Sequence, residues 1–196
     1  MPLPKEHREY TYEDYLTWSE DERAEIIDGI VYAQATPSPV HQKIVGNLYF
    51  QLHNYFQGKE CNPFVAPFTV RLPLESGETD EKKNKNIVEP DLSVVCDKSK
   101  LDQGGYNGSP TLIIEIVSPS SKKRDYMVKL NKYQRAGVKE YWVITPENET
   151  LIRYILNEQG HYDAPETYVL GEDEEIIAKM FPDLVIQIKD IFATWG

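Results

Sequence analysis

Cysteine is scarce in this sequence of 196 residues: only Cys61 and Cys96 occur. Two isolated cysteines are too few for a zinc cluster or a disulfide framework, and they fit a reducing, cytoplasmic setting. No apolar run approaches the length that spans a bilayer. The stretch from Met1 to Tyr10 is polar and contains proline, with no apolar signal core. No Gly-rich loop is placed to cradle a nucleotide phosphate, and no Ser–His or Cys–His pairing marks a covalent nucleophile.

What is present is an ordinary globular composition, 40% hydrophobic and 27% charged, in a length that fits one domain over residues 1–196. The formal net charge is −11. Taken alone this argues against a nucleic-acid partner, because phosphate binding draws on Lys and Arg. The distribution of charge matters more than its sum, however, and a carboxylate-rich metal site adds negative charge that bound cations offset.

The segment Tyr10 to Trp18 carries apolar residues at helical spacing and predicts a short helix. Ser19 with Glu22 resembles a capping box for one further turn. Asp28-Gly29 sits between β-rich arms in Ala24 to Gln34, the pattern of a hairpin. A long helix is expected from Ser38 or Pro39 to Gly58, with Val40, Ile44, Leu48, Leu52 and Tyr55 on one stripe. Phe64 to Leu72 reads as a strand, Glu75 to Asn86 as a mobile polar loop, and Val88 to Cys96 as a second strand that Pro90 opens. After a Gly-rich loop at Gln103 to Ser109, Thr111 to Ser118 is apolar on both faces apart from one Glu, as in a central buried strand. A helix from about Ser121 to Ala136, closed by Gly137, and a strand at Glu140 to Ile144 complete a right-handed crossover unit. From Leu151 the chain reads as a meander of short strands with a last helix near Lys189 to Phe192.

Two acids stand where acids are costly. Asp91 lies early in its strand and Glu115 at the centre of the most apolar one. An ionised carboxylate there needs a partner or a metal, or it neutralises through a pKa shift. For Glu115 alone, a buried salt bridge to Lys or Arg is as good an account. With Asp91 on a strand expected to neighbour it, a shared hard cation becomes the better one. Mg²⁺ and Mn²⁺ take carboxylate oxygens, a backbone carbonyl and water, and the carbonyl of Ile116 is the natural third protein ligand. Two residues beyond Glu115, where a lysine would complete the site, the strand holds Val117. The next helix offers a replacement. Glu115 stands roughly 10 Å back from Ser118 at about 3.3 Å per residue, and Lys129 roughly 12 Å along from Ser121 at about 1.5 Å per residue. Lys129 borders the sheet-facing stripe of Tyr126, Leu130 and Tyr133. Lys122 is its main competitor, and a snorkelling surface lysine is the bland alternative.

The runs AEIIDG (24–29), VEPDLSVV (88–95) and LIIEIVSPSSKKRDYMVKLNKYQRAGVKEYWVITP (112–146) resemble the Uma-two family of restriction endonucleases, within the PD-(D/E)XK nuclease superfamily. The resemblance covers nearly the whole chain. It implies an α/β, restriction-endonuclease-like fold with a central mixed β-sheet flanked by helices. It also implies metal-dependent hydrolysis of DNA phosphodiesters. Carried over residue by residue, Pro90-Asp91 is the PD element, Glu115 the second acid, and Lys129 the lysine moved to the next helix. Glu25 matches a further acid of the site, with room for a second cation. Val117 departs from the superfamily pattern but not from this family's habit. The run Lys122, Lys123, Arg124, Lys129, Lys132 and Arg135, interrupted only by Asp125, makes a local basic face suited to tracking DNA phosphates, or else a solvated helix face. His41 falls where the family often has a histidine, though packing explains it as well, and His53 reads as helix surface. Ser118-Pro119-Ser120-Ser121 reads as strand exit and helix cap rather than a phosphate site. Pairing as a homodimer is expected by analogy with nucleases that meet both strands of a duplex. The competing readings are a DNA-binding relative that no longer cuts, and an oligomerising protein whose acids only form salt bridges.

Overall fold

The computed structural model describes residues 8–19, 22–74, 77–117 and 124–193, with side chains from residue 127 onward in the last segment. Two six-stranded mixed sheets carry the fold. The first runs β2 (Ile30–Ala33), β1 (Ala24–Ile27), β5 (Ile87–Val88), β4 (Val70–Arg71), β8 (Gly105–Asn107), β7 (Leu101–Asp102). The second runs β12 (Glu166–Val169), β11 (Thr150–Ile155), β10 (Glu140–Thr145), β9 (Leu112–Ile116), β6 (Leu92–Val95), β3 (Asn62–Val65). A separate hairpin joins β13 (Glu175–Ile177) to β14 (Val185–Gln187). The helices are α1 (Tyr12–Tyr15), α2 (Pro39–Phe56), α3 (Leu130–Ala136) and α4 (Ile188–Phe192).

Strands β9 and β10 are parallel, as a crossover through α3 requires, and both are buried throughout. Burial on both faces explains their nearly unbroken apolar runs. Leu112, Ile114, Ile116, Trp142 and Ile144 pack with residues of α2 and α4. The alternate set, Ile113, Val117, Tyr141 and Val143, packs with Tyr133, Val138 and residues of the first sheet.

Two expected strands are each divided between the sheets. Phe64 to Leu72 becomes β3 and β4, and Val88 to Cys96 becomes β5 and β6. Pro67 and Pro90 fall in the two crossings, where the missing amide hydrogen interrupts a ladder at no further cost. The crossings touch: the Ala66 amide donates to the Asp91 carbonyl at 3.1 Å. Asp91 is therefore at a joint between sheets, not within a strand.

Other expectations are met or corrected locally. Asp28 and Gly29 both have positive φ, the two-residue turn that matches strand twist. Ser38 caps α2 by accepting from the His41 amide. The buried stripe of α2 is Ile44, Val45, Leu48, Leu52 and Phe56, whereas Val40, in the first turn and outside the core cluster, is 38% exposed. The polar loop is anchored rather than free over its later part. Asn84 and Asn86 are buried, Asn84 Nδ2 donates to the Leu72 carbonyl at 2.8 Å, and Asn86 Oδ1 accepts from the Asp28 amide at 2.9 Å. Side-chain amides there replace ladder bonds the short strands cannot make. The cysteines are also corrected: Cys61 and Cys96 form a disulfide. The antiparallel register Asn62↔Val95 sets them opposite each other at the ends of β3 and β6. Their scarcity thus carries no argument for a reducing compartment. Among the described residues no helix is long and apolar enough to cross a membrane.

Candidate active site

The register Leu92↔Ile114 between β6 and β9, continued by one residue, sets Asp91 opposite Glu115. Directly opposed residues of an antiparallel pair have Cβ atoms about 5 Å apart. Asp91 is held through one oxygen. Its Oδ2 accepts from the Ile116 amide at 2.8 Å and from Nε2 of His41 at 3.1 Å. His41 reaches it from the first turn of α2. Oδ1 of Asp91 takes part in no hydrogen bond among the described residues, and the side chain keeps 20% exposure.

Glu115 is held from the other side. Its Oε1 accepts from Nζ of Lys129 at 2.7 Å and from the Tyr133 hydroxyl at 2.8 Å. Lys129 ends a π-turn, Arg124–Lys129, that leads into α3, and Tyr133 follows four residues later. Four residues make one helical turn, so both side chains project to the same face. The wider π-turn, a local feature common at functional sites, sits at the point where Lys129 enters the core. Lys129 also lies 2.8 Å from Oε1 of Glu25, on β1, and that oxygen accepts from the Glu89 amide at 3.0 Å. Glu25, Lys129, Glu115 and Tyr133 are all less than 5% exposed. One ammonium thus serves two buried carboxylates, leaving one formal negative charge in the trio, and Asp91 adds a second. Burial, with the Glu115 carboxylate next in importance, pushes the Tyr133 phenol well above its ordinary value, so it remains a protonated donor.

The structure joins Glu25 and Glu115 through Lys129 and sets Asp91 one residue beyond the β6–β9 pairing, bonded to His41 and the Ile116 amide, and it adds residues that sequence reasoning passed over. Tyr133 was read only as part of an apolar stripe; its i+4 spacing from Lys129 was the available signal. Glu89, next to the PD element, is buried and accepts from the Tyr15 hydroxyl at 3.0 Å and from Arg23 at 3.5 Å. Burial pushes the Tyr15 phenol up to about 12.

The basic run is only partly visible. Lys122, Lys123 and the serines at 118, 120 and 121 lie outside the described residues, and the side chain of Arg124 is likewise not described. Arg135 is exposed. Lys132 is a correction. It is 5% exposed, with its ammonium on Asp28 in the β1–β2 turn, because it falls three residues from Lys129 on the sheet side of the helix. It is not offered to a ligand from solvent. His53 is exposed and lies against Tyr49.

Among the described residues, no group of three or more His, Cys, Asp or Glu side chains forms a ready metal cage. The donor chemistry fits a hard divalent cation nonetheless. Two carboxylates are opposed where the β6–β9 register continues by one residue, and Oδ1 of Asp91 takes no hydrogen bond among the described residues. Mg²⁺ is ordinarily held by one or two carboxylates with water and substrate phosphate, not by an all-protein cage.

These features, mixed sheets flanked by helices with paired acids at a strand joint, are those of a restriction-endonuclease-like α/β fold. The same fold appears in a crystal structure from Anabaena variabilis described as "a putative nuclease belonging to DUF820", with a TM-score of 0.73, 18% identity, and coverage of 93% of this chain and 97% of that one. Residues 12–189 match the Uma2 family, described as "Putative restriction endonuclease", and the chain belongs to that family. A Synechocystis sp. protein, "Uncharacterized protein slr1290", is 27% identical over 168 residues, 82% of this chain and 80% of the relative.

Proposed function

We propose that the chain is a Mg²⁺- or Mn²⁺-dependent DNA endonuclease, acting as a single restriction-endonuclease-like domain. The observation that carries this reading is the β6–β9 register, whose continuation by one residue opposes Asp91 to Glu115, with Lys129 on the second acid. Asp91 through Oδ1, Glu115 and the Ile116 carbonyl would hold the cation. When bound, such an ion acidifies water and draws electron density from a phosphate. The protein's own work is positional. Asp91 is fixed by the Ile116 amide and His41, and Glu115 by Lys129 and Tyr133. Lys129 supplies positive charge where a phosphodiester gains negative charge as water adds to phosphorus and one ester P–O bond breaks. Glu25 keeps the ammonium of Lys129 in place and adds a carboxylate for a second cation. Lys122, Lys123 and Arg124 would contact backbone phosphates. A homodimer would present one site to each strand of a duplex.

The sharing of Lys129 by Glu25 and Glu115 favours a second reading, a buried ion cluster that only ties β1 to β9. Plasmid nicking with Mn²⁺ by wild type and Glu115→Ala separates the two. Nicking lost in the variant supports the nuclease. Mn²⁺ binding without nicking points to a DNA-binding relative, and no Mn²⁺ binding at all supports the ion cluster.

A further inference from the structure

We infer that Tyr133 is a positioning residue for the metal-binding form of Glu115, an inference that rests on the nuclease reading above. Among the described residues, Oε1 of Glu115 accepts from the ammonium of Lys129 and from the hydroxyl of Tyr133, at 2.7 and 2.8 Å. They differ in one respect. The ammonium is also 2.8 Å from Glu25, so it is divided between two acids. The Tyr133 hydroxyl makes its bond to Glu115 from a ring enclosed in the core. Tyr133 has no exposed surface, packs edge-on against Tyr141 with ring centroids 5.0 Å apart, and belongs to the cluster that contains Val138 and Val143. Val143 is the register partner of Glu115 on β10, so the ring and the acid share one patch of sheet.

A carboxylate on a buried strand has several rotamers, and only those that turn it toward Asp91 serve a shared cation. A fixed donor on one oxygen selects among them. Glu115 then stays in place even when the charge of Lys129 is drawn toward the phosphate. Donors behind a metal ligand typically contribute about 10- to 100-fold in metal affinity or activity.

Tyr133→Phe removes one oxygen atom and keeps the ring, so the core is preserved. Calorimetric titration of Mn²⁺ and nicking kinetics on supercoiled DNA are run on wild type, Tyr133→Phe and Glu115→Gln, with thermal unfolding beside them. The expected result for Tyr133→Phe is cooperative unfolding near the wild-type midpoint. Its Mn²⁺ affinity falls by about 10-fold or more. Its kcat falls with an unchanged KM for DNA, because the nucleic-acid contacts are elsewhere. A purely structural tyrosine would shift the unfolding midpoint and leave both Mn²⁺ affinity and kcat within twofold of wild type. That outcome, with Glu115→Gln inactive, overturns this inference and leaves the nuclease reading standing. A wild type that neither binds Mn²⁺ nor nicks DNA overturns both.

Discussion

Glu115 and Glu140 stand on adjacent parallel strands, both in apolar sequence and both almost without solvent contact, yet the protein treats them differently. Glu140 faces the side of Trp142. Its two oxygens accept from the Trp142 indole at 2.8 Å and from the Lys179 and Met180 amides at 3.1 and 2.9 Å. Two of those donors are backbone amides, which belong to one place in the fold. Glu140 is a strut that fastens the segment before β14 to the start of β10. Glu115, on the opposite face, takes Oε1 bonds from two side chains of one helical turn and lies beside an acid with an outward oxygen. The shared ammonium of Lys129 can yield to a cation, and backbone donors cannot do so without unfolding their segment. The kind of donor, more than the depth of burial, separates the acid assigned to chemistry from the acid assigned to structure.

The largest effect should come from exchanging the two substitutions. Glu115→Ala is expected to abolish Mn²⁺-dependent nicking in the molecules that remain folded, and to cost stability through the two side-chain donors it leaves behind. Glu140→Ala should leave nicking per folded molecule unchanged while orphaning three donors at about 1–3 kcal/mol each. At about 2–4 °C per kcal/mol for a chain of this size, its melting midpoint should fall by roughly 10 °C or more. Equal loss of nicking in both variants would erase the distinction.

Lys129→Met sharpens it further. Removing the shared ammonium should lower kcat by about 10²–10³-fold. It should also lower stability, since two buried acids lose their common partner. A variant with full nicking would assign Lys129 to the ion cluster alone.

A smaller effect distinguishes the lysines of the crossover helix. Lys122→Ala should reduce the salt dependence of DNA binding by about one unit of slope. Lys132→Ala should leave that slope alone and lower the melting midpoint, because its ammonium is on Asp28. A binding titration at several salt concentrations separates them.

How far the sequence could foresee all this depends on the physics at each position. The Asp28-Gly29 hairpin was legible because two successive positive φ values demand those residue types. The Ser38 cap and the central strand around Glu115 were legible from local pattern, and the placing of Lys129 beside Glu115 from the geometry of the crossover. The division of 64–72 and 88–96 between two sheets was not. Both halves of each run are equally apolar, and only Pro67 and Pro90 hint at the break. Glu140 read as an ordinary strand residue because its two backbone donors come from 39 and 40 residues downstream. Lys132 looked like part of a basic face because charge alone does not reveal which side of a helix is buried. The Cys61–Cys96 bond depends on a strand register that sequence spacing does not contain.

The smallest expected effect is at the acid limb of stability. A hydrogen bond from Arg71 holds the Asp102 carboxyl below its ordinary range. A lowered folded-state value means stabilisation present above the unfolded pKa and lost as pH falls through the folded one. Urea midpoints measured from pH 6 to pH 3 should fall less steeply in Asp102→Asn. The Asp102 side chain is half exposed, so the difference should be slight.

The central claim is that Asp91 and Glu115 together hold a divalent cation. Calorimetric titration of Mn²⁺ into the wild type and into the Asp91→Ala, Glu115→Ala double variant tests it most directly. Saturable binding to the wild type that disappears in the folded double variant is the predicted result. No binding to the wild type, or equal binding to both, would contradict it.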